Sequence, residues 1–570
     1  MACSKLFSGD LPELTYHIIR YLGNDLRCLH SCVLVNRFWC RLAIPKLWED
    51  PFSTSWRVNF CHHFLDIYFL LLSEEDKTRE KEFGKYEIDH RMNSFSFNPL
   101  FNYPIYIKTL NTYQLKLHVI NWLAYLEQTS NEPFVIQNDN PYPYLSLIMT
   151  HDKSTANLDI KEKSLKSRGM ISVLCVLLFK LFITNGASLN DLNINICRNV
   201  EYYFIEVYTL ILKNPNFVSD VENFTLIFPY TDFPINSSRD VILRSFLSLF
   251  TSIKKQTLSL NFIDNILLTN NLTNLIQSQA NLSSLTITAS SIFMTDAFRH
   301  CSKTLTFLKF NSCYFIDNSS FHGLRHLTQL KSLHVIECLR LNHVIQPLLD
   351  IPTPLKINSL TISCKITTIV PLQLLFQKIG PYLEHLELGI YNNIMREKAL
   401  ESVIEHCDKI KFLHLSNLNV IDNPRLFKLI TNSSDHLKYL TLEYNNFNLD
   451  NKADSLEGLG QLLTGTLEYL NLNLHFNPGS LRTFLNGYRG GRIKKLIIRN
   501  RNYNSTLDTS NALKDFVKTK NLDYLSYRIE NEYYDDNVIH VLEELIKEIL
   551  IYVKVKNYED LIVKITDFDA

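Results

Sequence analysis

From about residue 189 onward, a short phrase recurs: an apolar residue, two residues of mixed type, a second apolar residue, one polar residue and a third apolar residue. The clearest copies are Leu282-Ser-Ser-Leu285-Thr-Ile287, Leu305-Thr-Phe-Leu308-Lys-Phe310, Leu330-Lys-Ser-Leu333-His-Val335, Leu383-Glu-His-Leu386-Glu-Leu388, Ile410-Lys-Phe-Leu413-His-Leu415, Leu437-Lys-Tyr-Leu440-Thr-Leu442 and Leu467-Glu-Tyr-Leu470-Asn-Leu472. Their fourth positions belong to a series at 285, 308, 333, 360, 386, 413, 440, 470, 496 and 525, so successive copies lie 23 to 30 residues apart. Spacing this even does not arise from unrelated strands; it marks a repeat architecture.

The chemistry of the phrase predicts the unit. Fourth and sixth positions fall on one face of a short strand, while the polar fifth faces water. Between phrases lie stretches with apolar residues at helical spacing, such as Pro371 to Ile379 and Ala399 to His406. One strand and one helix cannot bury their own apolar face, but stacked neighbours can. The expected fold is therefore an α/β solenoid with a parallel sheet on its concave side. Weaker copies at Leu189 to Ile194, around Phe224 and at Leu258 to Leu260 extend the series upstream. About thirteen units fit between residues 189 and 530. Residues 531–570 then form a C-terminal cap, with a helix around Asn537 to Ile551.

The period lies within that of leucine-rich repeats, whose horseshoe fold the array resembles. Repeat proteins of this kind bind partners on the concave face. The third-position ladder reads Ser284, Phe307, Ser332, Ser359, His385, Phe412, Tyr439, Tyr469, Lys495, Tyr524. Its Phe307, His385, Phe412, Tyr439, Tyr469 and Tyr524 are candidate anchors for a protein target. The competing reading is that rings on adjacent rungs stack on one another and stiffen the sheet. The fifth-position ladder mixes charge signs, as at Lys309, His334, Glu387 and His414, which favours a polypeptide over a polyphosphate.

Composition narrows the function classes. Lys plus Arg and Asp plus Glu are both 58, giving zero formal charge, so the chain lacks the cationic excess of a nucleic-acid binder. Its 12 cysteines form no CxxC pair and read as buried small hydrophobes in a reducing compartment. The longest apolar run, Ile171 to Thr184, carries Lys180 and is too short to span a bilayer. The N-terminus has no apolar signal core. The expected location is cytoplasmic or nuclear, with neither membrane nor nucleic acid as a partner.

Residues 1–51 form a separate helical module. Pro12 opens a helix whose stripe is Leu14, Ile18, Ile19 and Leu22; a second stripe is Leu29, Cys32, Val33 and Val35; a third helix runs from Phe38 to Leu47. Three short helices cannot bury two Trp residues among themselves and must lean on something else. The segments Leu11-Pro12-Glu13-Leu14, Ile18, Leu22, Val35-Asn36-Arg37-Phe38-Trp39 and Leu42-Ala43 through Leu47-Trp48 resemble the F-box, by which substrate receptors dock on the Skp-type adaptor of cullin-RING ubiquitin ligases. This copy is one residue short between proline and glutamate. With the repeats behind it, the architecture resembles F-box leucine-rich-repeat proteins of the fungal type. The resemblance implies that Leu11, Pro12, Leu14, Ile18, Ile19, Leu22, Val35, Trp39 and Trp48 supply the adaptor-facing apolar surface or support it, Trp48 at the junction with the next domain.

Residues 52–188 read as a helical linker, with degenerate first repeats as an alternative within it. Helical patterns lie at Asn59 to Leu72, Gln114 to Leu126 and Ile171 to Phe182, with polar loops at Glu74 to Lys85, Gln128 to Tyr142 and His151 to Ser167. No phosphate loop, GxSxG elbow, HExxH or kinase signature occurs in the sequence. Adjacent residues on a helix diverge, so Cys61-His62-His63 is no metal site. The expectation is a non-enzymatic receptor subunit without a cofactor: the N-terminal box holds the adaptor, and through it a cullin, while the solenoid holds a protein target. The competing expectation is a leucine-rich-repeat scaffold whose box is a vestigial cap.

Overall fold

Each clear copy of the phrase is a parallel strand in the computed structural model, which describes residues 12–22, 25–53, 63–73, 75–76, 99–130, 158–195, 201–228, 257–262, 273–279, 281–289, 297–315, 319–444, 458–463, 465–474, 478–491, 493–500, 507–520, 522–529, 553–555 and 561–568. The chain divides into two compact units, Met1–Phe262 and Ile263–Ala570. Both have a parallel α/β, solenoid-like construction in which the sheet does not close.

The first unit begins with three helices, α1 (Pro12–Tyr21), α2 (Leu26–Val33) and α3 (Arg37–Leu47), followed by α4 (His63–Leu70). Its sheet is β1 (Thr109–Asn111), β2 (Asp191–Asn195), β3 (Asn223–Phe228) and β4 (Thr257–Phe262), in chain order and all parallel. Between strands lie α5 (Thr112–Ser130), α6 (Leu158–Thr184) and α7 (Glu201–Lys213). The sheet thus starts at residue 109, inside the stretch read as linker. Ile107 and Leu110 fill the first and fourth positions of the phrase and are fully buried, but the sixth is Thr112, whose hydroxyl accepts from the Asn195 amide at 2.8 Å. A threonine that meets the next strand by a hydrogen bond breaks the apolar pattern while keeping the strand.

The described parts of two expected polar loops, residues 158–167 and 75–76, also carry more structure than expected. Residues 158–167 are the opening turns of α6, whose helix continues upstream of the apolar run through Gly169 and a stretch rich in the helix formers Leu, Lys and Glu. In the charge run after Glu74, Asp76 is buried and accepts from Lys180 at 2.5 Å and from Ser73 at 2.6 Å. Lys180 is thus the polar residue that lets the apolar run of α6 end in an ion pair. No helix among the described residues is long and apolar enough to cross a membrane.

The second unit carries β5 (Ser284–Ala289), β6 (Phe307–Asn311), β7 (Ser332–Ile336), β8 (Ser359–Ser363), β9 (His385–Leu388), β10 (Phe412–Leu418), β11 (Tyr439–Tyr444), β12 (Tyr469–Leu474), β13 (Lys495–Asn500), β14 (Tyr524–Ile529) and β15 (Lys554–Val555). Every neighbour pair is parallel and, apart from a register shift between Leu415 and Leu418 at the end of β10, in register, so Leu285, Leu308, Leu333, Leu360, Leu386, Leu413, Leu440, Leu470, Leu496 and Leu525 form one buried row. Residues 189–530 hold thirteen of the described strands, β2 to β14. The helices α8 (Asn342–Leu349), α9 (Val370–Ile379), α10 (Asn393–His406), α11 (Asn423–Asn432), α12 (Leu459–Leu462), α13 (Pro478–Gly487) and α14 (Leu507–Lys520) make the second layer, each packed on the next.

One backbone device sets the register throughout. The carbonyl just before each strand accepts both amides that open the next repeat: Lys331 and Ser332 donate to Thr306, Lys411 and Phe412 to Glu384, and Glu468 and Tyr469 to Lys438. The same pattern begins at Glu49, whose carbonyl accepts from Lys108 and Thr109 at 2.9 and 3.0 Å. The backbone after α3 therefore takes the place of a preceding strand.

Side chains also tie neighbouring repeats together, some at the surface and others in the interior. Arg396, buried in α10, donates to Asp422 through Nε at 2.8 Å, to the Ile390 carbonyl at 3.0 Å and to Asn393 at 2.9 Å. Gly380 follows α9 where a Cβ would run into the backbone carbonyl of His406, so only glycine lets these repeats approach. Cys32, Cys175, Cys301, Cys313, Cys338, Cys364 and Cys407 are buried, Cys40 half-buried and Cys28 exposed, all as free thiols. Cys313 and Cys364 each donate back to a strand carbonyl, of Ile287 and Val335. Burial pushes the thiols of Cys175, Cys364 and Cys407 up to about 12.

Candidate functional site

Two surfaces follow from the sequence reading. The first lies on α1 to α3. Side chains cap two of these helices: Asp25 accepts from the Cys28 amide at 3.0 Å, and Asn36 accepts from Phe38 and Trp39 at 2.9 and 3.0 Å. Caps of this kind contribute about 1 kcal/mol each and fix where α2 and α3 start. Ile19, Leu29, Cys32, Trp39, Ala43 and Leu47 then pack inward.

This packing keeps Ile18, Ile19 and Leu22 of the expected α1 stripe toward the module and turns Leu14 out. Thr15 and Ile19 are its buried line, Ile18 and Leu22 are half-buried, and Pro12 and Leu14 point outward. The apolar residues left in water are Leu14 (50% exposed), Tyr16 (54%), Tyr21 (92%), Leu34 (74%) and Val35 (44%). Leu11 lies outside the described residues. Trp39, a candidate for the adaptor surface or its support, is on the inside.

Trp48 also points inward, toward the rest of the first unit. Its ring meets Tyr103 at 4.3 Å and stands edge-on to Tyr68 at 5.2 Å and Phe64 at 6.5 Å. Phe52 and Phe182 continue this aromatic cluster against Tyr68. Asp50, just past α3, is half-buried; burial, with Asp191 and Glu49 nearby, pushes its carboxyl up to about 6.

The second surface is the ladder face of β5 to β14. The expected third-position ladder is in register: Ser284, Phe307, Ser332, Ser359, His385, Phe412, Tyr439, Tyr469, Lys495 and Tyr524 pair strand by strand. Phe307 lies 5.0 Å from the His334 ring, and Phe412, Tyr439 and Tyr469 succeed one another at 6.4 and 6.0 Å. The rings do stack along the sheet. They are not open to water, however: Phe412 and Tyr469 are 1% exposed, His385 is buried, and Phe307, Tyr439 and Tyr524 are half-buried.

A segment the sequence reading placed in the cap covers those from His385 to Tyr524. Residues 561–568 lie against the ladder face, ending in a short helical turn, Ile565–Phe568. Phe568 lies 4.7 Å from His385, 5.4 Å from Phe412 and 5.0 Å from Tyr439. Leu561 joins Tyr469 and Ile497 in a buried cluster flanked by Tyr439, Tyr524 and Val563, and the Val563 amide donates to the Tyr469 hydroxyl at 3.3 Å. The signal for this was the alternation Leu561, Val563, Ile565, together with Ile497, an apolar residue at a fifth position where other rungs are polar. The expected helix around Asn537 to Ile551 lies outside the described residues.

Beside the rings runs a polar line at the fifth positions. His334 shares a hydrogen bond with Thr361 at 2.8 Å, Thr361 donates to Glu387 at 3.3 Å, and His414 lies between Glu387 at 3.3 Å and Glu443 at 3.7 Å. Burial alone would lower His414, but the two carboxylates outweigh it and push the imidazole up to about 9. Glu387 is held below the ordinary carboxylate range: burial works against this, and the bonds from His414 and Thr361 outweigh it. The pair is thus an imidazolium beside a carboxylate, arranged for holding charge rather than for moving protons near neutrality. No protein-family model matches the chain, and no curated protein is similar to it.

Proposed function

We propose that the chain is the substrate-recognition subunit of a cullin-RING ubiquitin ligase, in which α1 to α3 dock on a Skp-type adaptor and the repeats hold a protein target. The observation that carries this reading is the set of exposed apolar side chains Leu14, Tyr16, Tyr21, Leu34 and Val35 on a module whose inner face is already filled by Ile19, Leu29, Trp39 and Leu47. A vestigial cap has no use for such a set, whereas a docking module presents one. The even 23-to-30-residue series and the buried Cys313 and Cys338, after β6 and β7, support the leucine-rich-repeat half of the reading, since that repeat takes Asn or Cys at this place. A receptor of this kind works by proximity: it holds a target near a charged enzyme and carries out no chemistry itself.

The test is co-purification with a Skp-type adaptor, comparing the intact chain with a Leu14→Asp, Val35→Asp variant. Both side chains are exposed, so the variant keeps its fold and loses the adaptor. Deleting the first fifty residues is a poorer control, because Trp48 and the Glu49 carbonyl belong to the interior of the first unit. An intact, folded chain that does not bind at micromolar concentrations would overturn the receptor reading in favour of a repeat scaffold.

A further inference from the structure

The ladder face and the segment that covers it are joined by chemistry of an unusual kind for one chain. Within the repeats, apolar side chains meet across strands that share a hydrogen-bonded register. Residues 561–568 instead cross the strand ends of the aromatic ladder, placing Leu561 on the Tyr469 and Ile497 pair and Phe568 over His385, Phe412 and Tyr439. Leu561 and Ile565 are buried, Ile562, Val563 and Phe568 half-buried, and Lys564, Thr566 and Asp567 exposed. A short stretch that lays apolar side chains on the protein and turns polar and charged ones to water has the form of a bound peptide.

We infer that the ladder face of β9 to β13 is a peptide-binding site, and that residues 561–568 are its built-in occupant. The partner it fits is an extended segment with small or branched apolar residues at every second position and an aromatic residue three places after the last of them. The spacing is that of Leu561, Val563, Ile565 and Phe568. The site offers a place for each: the Tyr469 hydroxyl takes a backbone amide, the Ile497 and Tyr469 surface takes a branched residue, and the His385, Phe412 and Tyr439 rings surround an aromatic one. A target segment of this composition binds by displacing the chain's own segment, which therefore acts as a competitor of fixed, high local concentration. This deepens the receptor reading and rests on it for the meaning of the partner, though not for the existence of the site.

The experiment measures fluorescence anisotropy of a labelled synthetic peptide, residues 559–570, added to the full-length chain and to a full-length Ile565→Asp, Phe568→Ala variant. With its own segment dislodged, the variant binds the peptide at least tenfold more tightly than the unaltered chain. A peptide carrying the same two substitutions binds the variant at least tenfold more weakly. A full-length Phe568→Ala chain, which loses one half-buried ring, is the milder second variant and lies between. The inference is overturned if either variant melts like the unaltered chain and yet fails to bind the peptide more tightly. It is also overturned if both variants unfold, because the segment is then part of the core. Adaptor co-purification on the same samples separates the two readings: it follows Leu14 and Val35 and does not depend on the peptide.

Discussion

On α1 to α3, large apolar side chains stand in water over a filled interior; on β9 to β13, aromatic side chains at positions expected to be open lie under a segment that begins some sixty residues beyond the last of those strands. The two surfaces are built from similar residues and differ in what covers them. Periodicity tells which way a side chain points within its own element, and it succeeds in both places. Whether that direction leads to solvent depends on remote chain, and no local pattern carries that information. An exposed surface and a self-covered one also imply different controls: the first is always available to a partner, the second only after a competitor has left.

The largest expected effect tests the frame that holds the ladder. Arg396→Ala removes the guanidinium from Asp422 and leaves a buried carboxylate whose remaining described tie is the Asn419 amide at 2.7 Å. Breaking a buried pair from one side costs about 3 to 5 kcal/mol. Urea unfolding should show a loss of that size, whereas Arg396→Leu with Asp422→Leu should restore much of it. A full loss in the double variant would mean that the bonds to Ile390 and Asn393, and not the charge pair, hold α10.

Next in size is the exposed set. Leu14→Asp should lower adaptor affinity about thirtyfold, near 2 kcal/mol, as for a central apolar anchor. Thermal unfolding should stay within about 0.5 kcal/mol of the unaltered chain. A large stability change would show that Leu14 serves the module's own packing and would remove the contrast with the ladder face.

The legibility of the chain follows the same line. The leucine row from Leu285 to Leu525 was readable because every unit repeats the same burial, and ten copies average out local noise. Strand β1 was not, because Thr112 stands at an apolar position and satisfies itself through Asn195. The stripe on α1 was legible at Ile18, Ile19 and Leu22 but not at its first turn, where Thr15, a small polar residue, takes the buried place and Leu14 turns outward. The aromatic ladder was predicted residue by residue, and its register is as expected; its cover was hidden in a stretch whose alternation of Leu561, Val563 and Ile565 is short enough to belong to any strand or cap.

The polar line beside the rings gives a smaller, pH-dependent effect. An imidazole in the unfolded chain titrates near 6.5, and His414 in the fold near 9. A raised native pKa adds stability that is complete below 6.5 and is lost as pH rises through 9. Because His414 is not fully buried, the loss between pH 6.5 and 9 should be roughly 1 to 2 kcal/mol. Urea midpoints measured across that window should fall, and His414→Gln should flatten the slope. Glu387, held low, contributes in the opposite direction, so its share disappears as pH falls below the ordinary carboxylate range. A slope unchanged in His414→Gln would assign the pH dependence to other groups and leave the ladder face without its charge pair.

The smallest effect is the one that decides most about the covered surface. Phe568 is half-buried and meets three rings, and ring pairs of this geometry are worth about 0.5 to 1.5 kcal/mol each beyond the area they bury. Part of this returns when the freed rings are wetted rather than left beside a cavity, so Phe568→Ala should cost about 1 kcal/mol in urea unfolding. A loss of that size means that the segment sits on the face as a ligand does, and an apolar dye should then bind the newly exposed His385, Phe412 and Tyr439. A loss of 3 to 5 kcal/mol, the range for deleting a core phenylalanine, would mean that residues 561–568 complete the hydrophobic core of the second unit. The two surfaces would then differ in kind, one an interface and the other interior.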